Sequence, residues 1–519
     1  MKHRPQPAQA SLYDDYFVRQ LVPPNHPLLE IDREVDFSFV RELVGDRYCP
    51  DNGREARDPE LLLRLCFLQS YHGLSDREVI SRAQTDLAFR LFLHLGLEDP
   101  LPHPSLLTVF RRRLGPDRFQ AIFNRSVSVA VERGLVKGRL VMVDSYGIVA
   151  DLAIPRLRRL LRRLVREALS MLARWSGEAP ALVEAQAALL ADESWWQSQE
   201  LREKDLAAWF ALTLRVREAV AAAPLPASPQ AQRSRECWLG LLDKALERQT
   251  KPKANERGDR LVSDADPDAR WSTRERGKKA MVGYKQQIAV DPEHEIITGA
   301  LTTPANVDDT QPFEELLDQH EANTQQRPQA AVADSGYSSG ENRRALAERA
   351  MTDFIAPPTP KGHKQGKLSA SDFEPECDDD GVPQQVRCPA GQVAEGGHWK
   401  AQEQGWNFHF TQRQCEGCGL RERCSKAKRG RSVFVSAYHR EHADARARQD
   451  TPEFMSAQVA RLEIERTFAY QQRRAGQDRA RFRGLDRVAV QVYLGCFMVN
   501  LVRIVRSTHP PTTPRRRRR

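Results

Sequence analysis

The sequence predicts an α/β protein: a mixed sheet with helices around it, preceded by a helical unit and interrupted by two insertions. Three observations predict this. The apolar runs Leu140–Val143 and Ala330–Ala333 each end in an acid and read as strands buried on both faces. Gly283–Val290 and Ile296–Leu301, divided by an Asp291-Pro292 turn, read as a hairpin-like pair. Strands first paired as a hairpin and then alternating with helical segments indicate a mixed sheet.

Along the chain, residues 1–50 are proline-rich and aperiodic and read as an extended arm. Residues 51–135 read as a helical unit. Leu61, Leu62, Leu65, Cys66 and Leu68 recur at helical spacing, His72-Gly73 marks a turn, and Ser75 with Glu78 forms a capping-box pattern. Leu87–Leu95 reads as a third helix and Leu106–Leu114, with Arg111, Arg112 and Arg113, as a fourth. The set is compatible with a DNA-binding helix-turn-helix-like module or with a dimerisation bundle. The sheet core is assigned to 136–154, 280–357 and 452–506, with a short strand at Asp353–Ala356 and a helix from Asp309 to His320. Residues 155–279 read as a helical insertion and linker, with Leu160, Leu161, Leu164, Val165 and Leu169 on one face and Arg158, Arg159, Arg162, Arg163 and Arg166 around it. Residues 358–451 form a second insertion, which holds five of the nine cysteines. The apolar stretch Val488–Val505 contains Gln491, Asn500 and Arg503, each costly in lipid, and reads as a buried terminal helix. Residues 507–519 are a basic tail.

Composition excludes several classes. With 40% hydrophobic and 29% charged residues, the 519-residue chain is too apolar for wholesale disorder and too long for one ordinary domain. No secretory signal is apparent, so a cytoplasmic protein with reduced thiols is expected and no membrane association. The net charge of +9 is localised: the last 59 residues hold fifteen arginines against four acids, and the rest is slightly negative. Clustered positive charge is the footprint of a phosphate-backbone binder.

Three acids carry the candidate chemistry. Asp144 and Asp334 follow buried strands, where open α/β sheets present their crevices. Glu465 falls on a helical wheel amid Leu462, Ile464, Phe468, Ala469 and Ala475, with Glu463 on the opposite face. Converging acids repel one another unless a cation intervenes, and hard oxygen ligands suit Mg²⁺ or Mn²⁺. Two such ions serve phosphodiester displacement.

In these segments the chain resembles the DDE transposases of bacterial insertion sequences. The resemblance rests on Val143-Asp144-Ser145, on Ala333-Asp334-Ser335-Gly336-Tyr337, and on Glu465-Arg466-Thr467-Phe468 with Arg483-Gly484-Leu485 and Asn500-Leu501. His72 to Glu78, Phe110-Arg111, Asp266 to Arg270, Gly283-Tyr284-Lys285 and Thr303 to Asn306 extend it over most of the chain. It implies an RNase H-like catalytic core, a metal-binding triad of Asp144, Asp334 and Glu465, and metal-dependent cleavage and strand transfer at the element's ends. It also implies a homodimer acting in the nucleoid on double-stranded DNA, namely terminal inverted repeats and target. Tyr337 is then expected to contact DNA, as are Arg473, Arg474, Arg481 and Arg483. Two departures stand out: Tyr146 where the family usually has threonine, and Gln472 where it usually has lysine or arginine. They keep open a catalytically impaired, transposase-derived DNA-binding protein, and a nuclease without strand transfer is a third reading.

Cys388, Cys415, Cys418 and Cys424 include one C-x-x-C pair and are candidate ligands of a structural Zn²⁺, against a reading as free thiols. Cys377, His398 and His409 are spare candidates.

Overall fold

The computed structural model describes residues 12–49, 56–177, 179–224, 228–250, 259–272, 280–358, 366–379, 381–425 and 427–508. The first eleven residues of the expected arm, and the basic tail beyond residue 508, lie outside the described residues.

The rest of the expected arm is not extended. It forms α1 (Leu12–Leu21), α2 (Pro27–Glu34) and α3 (Phe39–Leu43). Pro27 opens α2 rather than breaking it, since the first helical position lacks an N–H partner anyway. The apolar residues of this segment reach a common core: Phe37 is fully buried and sits edge-on to Phe67, Phe92 and Phe497.

The expected helical unit follows as α4 (Pro59–His72), α5 (Asp76–Thr85), α6 (Leu87–Phe92) and α7 (Ser105–Glu132). The Asp58 carboxylate accepts the Glu60 N–H at 3.0 Å to open α4, and Gly73, at φ 69°, closes it. Ser75 and Glu78 form the predicted reciprocal cap of α5. In α7 the left-handed Gly115, followed by Pro116, ends the basic half after Leu114. Arg111 does not present itself as a base reader. It is buried, pairs with Asp76 at 2.5 Å and lies over the Phe482 ring.

The central sheet contains β1 (Leu140–Val149), β2 (Arg270–Trp271), β3 (Val282–Asp291), β4 (Ile296–Pro304), β5 (Ala330–Ala333) and β6 (Thr352–Ile355). Its order is β4-β3-β1-β5-β6, with β2 also paired to β3. β1, β5 and β6 are parallel, and β3 runs antiparallel to both β1 and β4. β1 extends well past its apolar run because the half beyond Met142 pairs only with β3, as far as Val149 opposite Gly283. One face packs Val141, Val143, Ala289, Ala331 and Ala333 onto α12 (Phe313–Thr324) and α13 (Gly340–Glu348).

The helical insertion forms α8 (Leu157–Ser176), α9 (Pro180–Ala191), α10 (Gln199–Ala222) and α11 (Pro229–Thr250), with its own core around Leu161, Leu164 and Trp209. The cysteine-bearing region builds two three-stranded sheets, β7 (Glu374–Cys377), β8 (Pro383–Arg387) and β9 (Val393–Glu395), then β10 (His398–Lys400), β11 (Gly405–Phe410) and β12 (Arg431–Ser436). Between β11 and β12 lie α14 (Gln412–Cys415) and α15 (Arg421–Cys424), and α16 (His439–Arg448) leads out.

α17 (Pro452–Ala475) and α18 (Leu485–Thr508) cover the other face of the central sheet, against Met142, Ile288 and Val332. From Val488 to Val505 every residue of α18 except Arg503 is buried, so the one described helix long and apolar enough to cross a membrane is a core helix. Its polar residues are satisfied. The Asn500 amide accepts the Ile297 N–H at 2.9 Å and donates to the Ile297 carbonyl at 2.8 Å, beside the β-bulge where β4 slips register.

Candidate active site

Strand pairing brings Asp144 and Asp334 into one neighbourhood. Leu140 lies opposite Ala330 and Met142 opposite Val332. Asp144 and Asp334 each follow that last pair by two residues, and the charge of Asp334 acts on Asp144. Alternation turns both acids to the face of Met142 and Val332, which α17 covers.

Asp144 Oδ1 accepts the Ser145 N–H at 2.8 Å, and Oδ2 accepts from Arg461 Nη1 at 3.0 Å. Burial pushes its carboxyl up to about 6. The negative charges of Asp334 and Asp309 add to the rise, while the Ser145 N–H and Arg461 oppose it. Asp334 Oδ1 accepts the Gly336 N–H at 2.8 Å. Space fixes that glycine, since a Cβ there would lie 2.9 Å from Asp334 Oδ1 and 3.6 Å from Asp309 Oδ2.

α17 supplies the third wall, and one stripe of it faces the acids. Gln458 donates to the Ala333 and Phe354 carbonyls, Arg461 reaches Asp144, and the Phe468 ring stacks on Tyr146 at 5.5 Å. Residues 458, 461, 465 and 468 share a helix face, so Glu465 lies on the stripe between the contacts to Asp144 and to Tyr146. The wheel reading needs one correction: Ile464, Phe468 and Ala475 are buried, but Leu462 and Glu465 are exposed. Glu465 is exposed although Ile464, Thr467 and Phe468 around it are buried. Tyr146 occupies its place by packing against α17.

Two profiles of known families match the chain. A transposase domain (DUF772) matches residues 16–113, and a transposase DDE domain matches residues 387–505. The two matches support an insertion-sequence DDE transposase. The second match contains Glu465, while Asp144 and Asp334 lie outside both matched ranges. An uncharacterized protein, ORF8 in the nfe locus of Rhizobium meliloti, is 28% identical over 140 residues, or 26% of this chain. The alignment spans 65% of that relative's own length. No solved structure matches the chain.

Several residues sit differently from what the sequence suggests. Tyr337, expected at the DNA, is fully buried. Its hydroxyl donates to Gln287 Oε1 at 2.6 Å, and its ring packs in the core beside Phe313. Arg481 is also tied down, donating to the carbonyls of Leu74 at 2.6 Å and Ala475 at 2.8 Å. Burial holds its guanidinium below the ordinary arginine range. Arg473, Arg474 and Arg483 are exposed. The arginine excess near the C-terminus is therefore partly consumed inside the fold, as Arg461 and Arg503, which pairs with Glu295 at 2.8 Å, also illustrate.

The sequence assigns no site role to Asp309, Lys285 or Gln287. Asp309 is not a helix residue but lies in the turn before α12, where it accepts from Lys285 Nζ at 2.8 Å and Gln287 Nε2 at 3.0 Å. The available signal was Lys285-Gln286-Gln287, three polar residues in a strand otherwise apolar.

The oxygen donors suit a hard divalent cation in one respect: the Asp144 charge is disfavoured by burial and by neighbouring acids, a strain that a cation relieves. Among the described residues, however, no group of three or more His, Cys, Asp or Glu is already spaced to hold a metal ion. Asp144 and Asp334 interact electrostatically, and Arg461 occupies one Asp144 oxygen. The thiols also lack such spacing. Cys388, Cys415, Cys418 and Cys424 line one cavity of about 20 Å³ with Phe373 and Phe410, without coordination spacing. The spare candidates are elsewhere: Cys377 faces His439 Nε2 at 3.1 Å, His398 bonds the Trp399 carbonyl, and His409 bonds Ser432.

Proposed function

We propose that the chain cuts double-stranded DNA at the ends of its own insertion sequence and joins the freed 3′ ends to a target, using Asp144, Asp334 and Glu465. The observation that carries this reading is the parallel pairing of β1 and β5, after which the two aspartates follow at equal distance in sequence, with α17, the helix that bears Glu465, packed on the same face. A single reversed strand, β3, in an otherwise parallel order supports the RNase H-like core that the resemblance implies.

Each residue's part follows from its surroundings. Asp144 and Asp334 would hold Mg²⁺ or Mn²⁺, with Glu465 completing the set from α17. When bound, such ions supply Lewis-acid stabilisation of the entering and leaving oxygens of an in-line displacement. Arg461 neutralises Asp144 in the cation-free protein and must yield its oxygen on loading. Lys285 and Gln287 hold Asp309 against the site, so its charge adds to the local negative field without drifting into solvent. The four cysteines would hold a structural Zn²⁺ after a small closure of their cavity.

The test is cleavage of a DNA fragment carrying the element's terminal repeats. Cutting in Mg²⁺, its loss in EDTA and its loss in Asp144→Asn and Asp334→Asn are expected. Equal cutting by those variants would remove the assignment.

A further inference from the structure

A cavity lies away from the acid pair, in the helical insertion, and outside both family matches. It measures about 1020 Å³ and runs between the start of α8, the end of α9 and the start of α10. Seven arginines line it against one acid, Asp205. α8 builds this wall by amphipathicity. Leu160, Leu161, Leu164 and Val165 are buried in the insertion's core, which leaves Arg159, Arg162, Arg163 and Arg166 as one stripe at helical spacing.

Not all of these charges are free. Arg158 is held by Asp205 at 2.7 and 3.1 Å, and Arg163 by Asp264 at 2.9 Å. Arg156, Arg159 and Arg162 are exposed and have no acidic partner among the described residues. Three like charges on one wall with nothing opposite them repel one another, and an anion of matching spacing removes that cost.

The opposite wall carries two adjacent tryptophans, each fixed by an arginine. Arg158, clamped by Asp205, lies 4.1 Å from the centroid of Trp195. Arg202 donates twice to the Trp196 carbonyl, at 2.8 and 3.1 Å, and so anchors the loop that presents Trp196, whose side chain is 58% exposed. A cationic groove facing a positioned, solvent-exposed indole has two complementary recognition elements, one for a phosphate backbone and one for a flat π-face.

We infer that this groove binds a single-stranded DNA segment, with phosphates along Arg156, Arg159 and Arg162 and an unpaired base on Trp196. Single strand is favoured over duplex by the aromatic wall. Bases of a duplex keep their faces stacked on one another, so only an unpaired base can use an indole. A concave site of this size also suits a flexible strand. The inference rests on the proposed function only for the choice of DNA as the nucleic acid; the groove itself stands on residues that the acid pair does not touch.

The test measures binding of labelled oligothymidylate, and of a mixed-sequence duplex of equal length, to the full chain in EDTA, where no cleavage occurs. Trp196→Ala is expected to weaken the single strand about tenfold and to leave the duplex unchanged. The triple variant Arg156→Ala/Arg159→Ala/Arg162→Ala should reduce the slope of log K against log salt for the single strand by about 2. All four residues are exposed, so neither variant disturbs the insertion's core. Unchanged single-strand binding by both variants would overturn the site, and equal losses for duplex would overturn the strand preference. Either failure leaves the cleavage reading standing, because that is scored separately by Asp144→Asn in Mg²⁺.

Discussion

The raised affinity of Asp144 for its proton makes cation binding pH-dependent in a definite direction. With the carboxyl at about 6 rather than the usual 3.8, the charged form is disfavoured in the folded, cation-free chain. Roughly one tenth of the protein carries an ionised Asp144 at pH 5 and about nine tenths at pH 7. A cation needs the ionised form, so this one group should weaken Mn²⁺ binding roughly tenfold from pH 7 to pH 5, with little further change above pH 7. The linkage has a second readout. Binding at pH 5 should release close to one proton from this site, and at pH 8 almost none. Isothermal titration of Mn²⁺ into the protein, repeated in buffers of different ionisation enthalpy, measures both quantities. Asp144→Asn should abolish the proton release. A flat affinity between pH 5 and 7, or the same proton release in Asp144→Asn, would refute the reasoning.

Other outcomes follow from the same contacts. Arg461→Gln removes the cation that opposes the rise at Asp144, so the pH midpoint of Mn²⁺ binding should move upward. At pH 8, where Asp144 is ionised in both proteins, affinity should increase because no guanidinium competes for Oδ2. Gly336→Ala places a methyl 2.9 Å from Asp334 Oδ1 and should reduce Mn²⁺ affinity and DNA cleavage without unfolding the sheet, as checked by circular dichroism. Asn500→Leu strands the Ile297 N–H and carbonyl in a dry core and should destabilise the protein by about 2–5 kcal/mol, read from urea unfolding. Cys415→Ser should lower bound zinc in the purified protein, measured by atomic absorption, while preserving the central sheet.

The strand ends were legible because each follows an apolar run closed by an acid, whereas the pairing of β1 with β5 and its register come only from the structure. The four cysteines were likewise legible, since their types and spacing bring them to one cavity. What sequence could not supply was burial. Tyr337 follows Asp334 closely and looks like a site residue, yet its ring turns into the core because the turn after β5 folds back toward α12. Arg481 belongs to a run of arginines that looks like a basic surface, and only the meeting of α4 with α17 turns it inward to backbone carbonyls. Asp309 was hidden for the same reason, since its partners come from β3 rather than from its own neighbours. The helices of residues 12–49 escaped notice because Pro23, Pro24 and Pro27 read as breakers, whereas Pro27 opens α2 and the following Phe37 packs against Phe67, Phe92 and Phe497.

The central claim is that Asp144, Asp334 and Glu465 share divalent cations. Anomalous scattering from crystals of the protein grown with Mn²⁺ tests it most directly. The account predicts manganese bonded to oxygens of both aspartates, with Glu465 drawn in from α17 and Arg461 displaced from Asp144. Manganese bound between Asp144 and Asp309 with Glu465 still turned to solvent, or an empty cleft with the Arg461 pair intact, would contradict it.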